Sequence, residues 1–200
     1  MEKLESVDGL VISQQKEWAE ILTGFEARNR YTVMDTFGTT LYLAAEWEGS
    51  FLTRVMLRSL RPFTIYVINP DGSRVLILRR TFRFYLHKLD IYDPEWKHLG
   101  TIQRQFSILR RIYSVLDNSG LEIFQLFGPI LHPWTFMVRR SGEEIGSITK
   151  KWSGLFKEAF TSADNFGVTF PTDLDVTMKS LLLGAVFLID FVHFERRHNE

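Results

Sequence analysis

Between residues 30 and 150, apolar and polar positions alternate in short runs, and each run stops at a turn. Arg30-Tyr-Thr-Val and Thr40-Leu-Tyr-Leu-Ala flank Asp35-Thr-Phe-Gly. Phe63-Thr-Ile-Tyr-Val-Ile and Arg74-Val-Leu-Ile-Leu flank Asn69-Pro-Asp-Gly. Ile112-Tyr-Ser-Val-Leu and Leu121-Glu-Ile-Phe-Gln-Leu flank Asp117-Asn-Ser-Gly, and Trp134-Thr-Phe-Met-Val and Ile145-Gly-Ser-Ile flank Ser141-Gly. A period of two closed by Asp, Asn and Gly is the signature of β-hairpins. No long helical period separates them, so the sheet is expected to be an antiparallel meander.

Residues 63–106 and 112–152 overlay as two copies of one unit. Both close on apolar-Gly-x-Ile-x-basic-polar-aromatic, as Leu99-Gly-Thr-Ile-Gln-Arg-Gln-Phe106 and Ile145-Gly-Ser-Ile-Thr-Lys-Lys-Trp152. The repeated Gly100 and Gly146 mark bulges or a close backbone approach. Two four-strand units, an opening hairpin and a final strand at 166–170 add up to about a dozen strands. A closed sheet of that size needs a filler.

Alternation ends at 178–194, Met-Lys-Ser-Leu-Leu-Leu-Gly-Ala-Val-Phe-Leu-Ile-Asp-Phe-Val-His-Phe. A helix here is apolar all round, so it is a membrane span or the centre of a fold. A span takes about 20 consecutive apolar residues. The uninterrupted run is about half that length, between Ser180 and Asp190, and a longer span would bury Lys179 and Asp190 in hydrocarbon. A core helix is therefore favoured over a span, with Leu182, Ala185, Phe187 and Leu188 inside the barrel. Thr172 is the expected N-cap, with Asp175 completing a capping box. Lys179 can pair with Asp175 one turn away or, on nearly the same face, with Asp190; a strand donor is the alternative partner for Asp190. The fold class is thus mainly β: a closed antiparallel barrel of about twelve strands around a buried C-terminal helix. Residues 1–12 show no period and read as a loose arm, and 13–22 as a short amphipathic helix ended by Gly24. The expected division is an arm at 1–17 and a single domain at 18–200.

Composition changes the picture little. With 45% hydrophobic and 24% charged residues among 200, the chain is globular. Its net charge of zero provides no overall field toward nucleic acid or anionic lipid. There is no cysteine, which excludes disulfides, thiolate catalysis and cysteine acylation. Met-Glu-Lys-Leu-Glu-Ser is not followed by the apolar stretch of a signal peptide, so a cytosolic setting is expected. His87, His98, His132, His193 and His198 form no metal-spaced pair, and no phosphate loop or nucleophile elbow occurs, so no enzyme is expected.

Ten short motifs occur in order: Glu20-Ile-Leu-Thr-Gly-Phe-Glu26, Asn29-Arg-Tyr31, Arg61-Pro-Phe63, Gly128-Pro129, Ile148-Thr-Lys-Lys-Trp-Ser-Gly154, Glu158-Ala-Phe-Thr161, Ala163-Asp-Asn-Phe-Gly167, Phe170-Pro171, Asp173-Leu-Asp-Val176 and Leu188-Ile-Asp-Phe191. Together they resemble the phospholipid scramblase family, from about residue 18 to 195. The resemblance implies a tubby-like fold and calcium-stimulated, energy-independent, bidirectional movement of phospholipids between leaflets at the cytosolic face of a membrane, the plasma membrane in particular. The alternative is a soluble tubby-like module that binds anionic lipid, such as a phosphoinositide, or a protein partner without moving lipid.

Several candidate sites follow. The family's calcium segment maps onto 162–173, where Ser162 stands at its first acidic position and Asp164 and Asp173 keep acidic matches. Calcium takes six to eight oxygens, so two carboxylates make a weak site; a turn and a helix terminus are the structural alternative. The family's acylation stretch maps near 80–86, where Arg83 sits among aromatics, and Leu131-His-Pro-Trp134 is a second loop of this kind; such loops suit a headgroup layer, or are ordinary strands. Arg104, Arg139, Lys150 and Lys151 are candidate lipid-phosphate ligands, against solvated strand faces.

Overall fold

In the computed structural model the described residues are 1–15, 30–47, 62–82, 86–150 and 165–194. Twelve strands close into one barrel, each antiparallel to its neighbours and each following the last in chain order. They are β1 (Gly9–Gln15), β2 (Arg30–Met34), β3 (Thr40–Trp47), β4 (Phe63–Ile68), β5 (Arg74–Arg80), β6 (Lys88–Tyr92), β7 (His98–Arg104), β8 (Arg111–Asp117), β9 (Glu122–Gly128), β10 (Thr135–Arg140), β11 (Glu143–Lys150) and β12 (Asn165–Thr169). The seam joins β1 to β12, with Gly9 opposite Thr169 and Ser13 opposite Asn165. Closure leaves no edge for another strand to join.

The four hairpins legible from alternation are present, and β6 with β7 completes the first repeated unit. Both repeated glycines sit one residue after a register shift. Ile91 faces Gly100 while Tyr92 faces His98, which leaves Leu99 as the extra residue; Val138 faces Gly146 while Arg139 faces Glu144, which leaves Ile145. Each is in the fourth strand of its unit, where the bulge tightens the local twist and brings a neighbouring backbone against the glycine.

Residues 9–15 correct the expectation of a loose arm. They form the seam strand rather than an arm running into a helix. Leu10, Val11 and Ile12 are all buried, so no alternation betrays the strand. The helix expected at 13–22 begins on Ser13, a strand residue; positions 16–22 lie outside the described residues.

The helix α1 (Val176–His193) fills the barrel, and every residue from Lys179 to Val192 is buried. By length and composition alone it would cross a membrane. Here Leu181, Leu182, Leu183, Ala185, Phe187, Leu188 and Ile189 are enclosed by inward strand residues such as Val33, Ile65, Leu78, Ile102, Val115, Leu126, Val138 and Val168. Phe187 meets Tyr31 edge-on at 5.1 Å, and Phe191 packs on Phe63 at 4.5 Å.

The cap falls on Asp175, not Thr172: its carboxylate accepts from the Met178 amide at 2.9 Å. A turn bonding Leu174 N to Pro171 O tucks Leu174 into the core, so the helix can begin only after it. Nor do Lys179 and Asp190 pair. Eleven residues at 1.5 Å per residue separate them by about 16.5 Å along the axis, so they lie at opposite ends of the barrel.

Candidate functional site

The meander gives the barrel two unlike ends. The short turns after β2, β4, β6, β8 and β10 lie at one, together with the start of α1. The connections after β5, β7 and β9 lie at the other, where α1 finishes. We call these the turn end and the exit end.

Carboxylates build the turn end. Asp35 accepts from the amides of Phe37 and Thr39, and Asp93 from those of Glu95 and Lys97. Asp71 and Asp117 do the same within their turns, and hydroxyl bonds from Ser73 and Ser119 hold both carboxyls below the usual carboxylate range. The fifth turn, Ser141-Gly142, runs into Glu143 and Glu144. Asp173 is exposed at this end, just before α1.

Cations gather at the exit end. Arg80, buried, stacks over Phe191 at 4.8 Å and contacts His87 Nδ1 at 2.6 Å. Arg111 lies over Phe136 at 4.7 Å and donates to three carbonyls of the β9–β10 connection: Pro133 at 2.6 Å, Pro129 at 3.1 Å and His132 at 3.2 Å. Lys150 is buried, 3.7 Å from the Asp190 carboxylate, with its ammonium over the Phe194 and Phe166 rings. Asp190 also accepts from the Tyr31 hydroxyl at 3.1 Å, so strand donors are among its partners. Tyr113 Oη and His193 Nε2 are 2.8 Å apart, and burial drives the Tyr113 phenol far above its ordinary pKa despite the nearby charges of Arg104, Arg80 and Arg111. A helix carries partial negative charge at its C-terminus, so these cations suit the end of α1 they surround.

Removing Asp190 should show the strength of this arrangement. Asp190→Ala leaves Lys150 buried without its counter-charge, which in tight pairs costs several kcal/mol. The 3.7 Å separation and the two ring faces moderate the loss, and the expected fall in unfolding free energy is about 2 kcal/mol. Urea denaturation should recover part of it in Asp190→Ala/Lys150→Met, where neither ion of the pair remains.

The predicted ligands thus separate. Arg104 is half-buried at the exit end. Arg139 lies on the outer face over Phe127 at 4.3 Å, with Arg110 over the same ring at 5.4 Å. Lys150 is inside the barrel rather than on a solvated face. Arg83, Lys151, Ser162 and Asp164 lie outside the described residues. Among the described residues no three His, Cys, Asp or Glu side chains converge as metal ligands.

Sequence reasoning passed over the β7–β8 connection. Phe106, Ile108 and Leu109 there, with Ile130 and Leu131 after β9, are between 63% and 87% exposed. The signal was present: no Asp or Glu occurs in 97–116 or in 123–142, while Arg104, Arg110 and Arg111 do.

A closed twelve-stranded barrel around an apolar C-terminal helix defines the tubby-like class of fold. A crystal structure of an Arabidopsis thaliana protein shares it, with a TM-score of 0.52 over 93% of this chain and 94% of that one at 12% identity. The Scramblase family model matches residues 1–196, and the chain belongs to that family. It is 35% identical to mouse phospholipid scramblase 1 across its whole length, 34% to bovine phospholipid scramblase 2, and 31% to human phospholipid scramblase family member 5 over 98% of its length. It spans 65%, 73% and 77% of those three relatives respectively.

Proposed function

We propose that this protein mediates or assists bidirectional, energy-independent movement of phospholipids between leaflets, working at the cytosolic face of a membrane and without covalent chemistry. The observation that carries the reading is the family match along nearly the entire chain, residues 1–196. Relatives named phospholipid scramblases support it. With α1 enclosed, lipid headgroups would pass over the outside of the barrel or through bilayer that it perturbs, not along a spanning helix.

The test is reconstitution of the full chain into vesicles with labelled lipid in one leaflet. Transfer above protein-free vesicles is expected, and no transfer above them at any calcium level would defeat the reading. A calcium response through Asp164 and Asp173 would be weak, since two carboxylates supply few of the oxygens calcium takes, so the titration should extend to about millimolar.

The buried helix also supports a second reading, a lipid- or protein-binding module that moves no lipid. Salt-sensitive flotation with vesicles, phosphoinositide included, in the absence of any transfer would favour it.

A further inference from the structure

We infer that the apolar tips of the β7–β8 and β9–β10 connections, backed by arginines, form the surface by which this chain docks on an anionic phospholipid bilayer. The inference rests on the membrane reading above and specifies which part of the molecule makes contact.

Four observations converge. First, the tips are apolar and outside the core: Phe106, Ile108 and Leu109 on one connection, Ile130 and Leu131 on the other. Clustered exposed side chains of this size mark a contact surface. Second, the two connections form one unit. Arg111 opens β8 opposite Gly128, and its guanidinium holds the carbonyls of Pro129, His132 and Pro133. Leu131 is thus presented on a pinned, proline-flanked loop rather than folded back on the barrel.

Third, much of the backbone behind the tips is already hydrogen-bonded within the protein. Gln105 N bonds to Ile112 O, Arg110 N to Ser107 Oγ, and Thr135 N to His132 O, while Arg111 takes three carbonyls. Those groups keep their partners on leaving water, so the tips can sink toward the acyl boundary without stranding them. Fourth, the charge has one sign. Arg104, Arg110 and Arg111 flank the tips, and stretches 97–116 and 123–142 hold no carboxylate. The acidic turns occupy the opposite end of the barrel. Among the described residues the charge is thereby polarised, and an anionic surface attracts these arginine-backed tips and repels the acidic turns.

The absence of cysteine makes the test clean. An environment-sensitive dye is placed by Leu131→Cys or, at the turn end, by Phe37→Cys; Phe37 is 90% exposed and belongs to neither tip. The probes are phosphatidylcholine vesicles with and without phosphatidylserine. The dye at position 131 should shift to the blue on serine-lipid vesicles and lose much of that shift in high salt; the dye at position 37 should not respond. The paired variant Ile108→Asp/Leu131→Asp, with an unchanged melting temperature, should bind at least about tenfold more weakly, and Phe37→Asp should bind as the native chain does.

No binding to either vesicle, a dye at 131 that stays in water while the chain binds, or a paired variant that binds as tightly as native would each overturn the proposal. Docking without lipid transfer would leave this surface standing and remove the activity proposed above. Transfer undiminished in the paired variant would do the reverse.

Discussion

Replacing Lys179 by methionine is expected to lower the unfolding free energy by about 4 kcal/mol, the largest loss for any single side chain considered. The Lys179 ammonium is fully buried near the start of α1, and its three N–H groups serve four carbonyls, one hydrogen being shared: Leu4 at 3.0 Å, Glu5 at 2.8 Å, Val7 at 2.9 Å and Thr172 at 2.8 Å. It ties the N-terminal segment, with its 3-10 turn Glu2–Leu4, across the turn end of the barrel. Two effects oppose each other in the variant. Methionine relieves the cost of burying an ammonium, a cost visible in the lowered pKa of Lys179, where burial is the largest influence and Asp173, Asp8, Glu5 and Asp175 act against it. It also strands four acceptors, each worth about 1–3 kcal/mol when it cannot reach water. Several of these lie near the barrel mouth and can recover water, which keeps the sum well below its maximum. The orphaned carbonyls still outweigh the relief, because the lysine's partners are fixed backbone groups that remain when it is gone. Urea unfolding should show the loss, and hydrogen exchange should show residues 1–8 released before the rest. A shift under about 1 kcal/mol would mean that water serves these carbonyls as well as lysine does.

Gly146→Ala comes second, with an expected cost of about 3 kcal/mol, the upper part of the range for overpacking. A Cβ at 146 would lie 2.1 Å from the Thr169 carbonyl oxygen and 2.9 Å from its carbon. Those are backbone atoms of β12, the strand that closes the seam with β1, and they cannot move aside as a side-chain tip can. Gly100→Ala repeats the test in the first unit, since a Cβ there meets Leu116 O at 2.4 Å and a Leu181 methyl of α1 at 2.9 Å. Gly184→Ala is the contrast. Its Cβ meets Ile91 Cδ1, a movable side-chain tip, at 2.3 Å, and alanine favours the helix by about 1 kcal/mol, so the two changes partly cancel. Thermal melts should rank Gly146→Ala and Gly100→Ala well below Gly184→Ala. Equal melting temperatures for all three would show that the strands part easily at the bulges.

Much of this barrel could be read from local chemistry. Alternation and turn residues located the hairpins because period and turn type depend on neighbours a few positions apart. The repeat located Gly100 and Gly146 because both units place the same bulge in the same strand. The strand β1 stayed hidden because its register is set by residues 165–169, some 150 positions away, and both its faces are covered, so Leu10-Val-Ile12 carries no period of two. The motif at 188–191 identified Asp190, and of its two expected partners the strand donor held; Lys179 did not, since helical spacing aligns the two while the rise of the helix keeps them apart.

The site divides in the same way. Residue order alone dictated an apolar rod with Lys179 and Asp190 near its ends, the strands to enclose it, and the family to which both belong. Folding decided which cations are enclosed and which are displayed: Lys150 and Arg104 hold matching places in the two repeats, yet Lys150 is inside against Asp190 and Arg104 is only half-buried. It also decided polarity. A net charge of zero conceals, among the described residues, acidic turns at one end and arginine-backed connections at the other, because the parity of an antiparallel meander sends alternate connections to opposite ends, and composition sums over both.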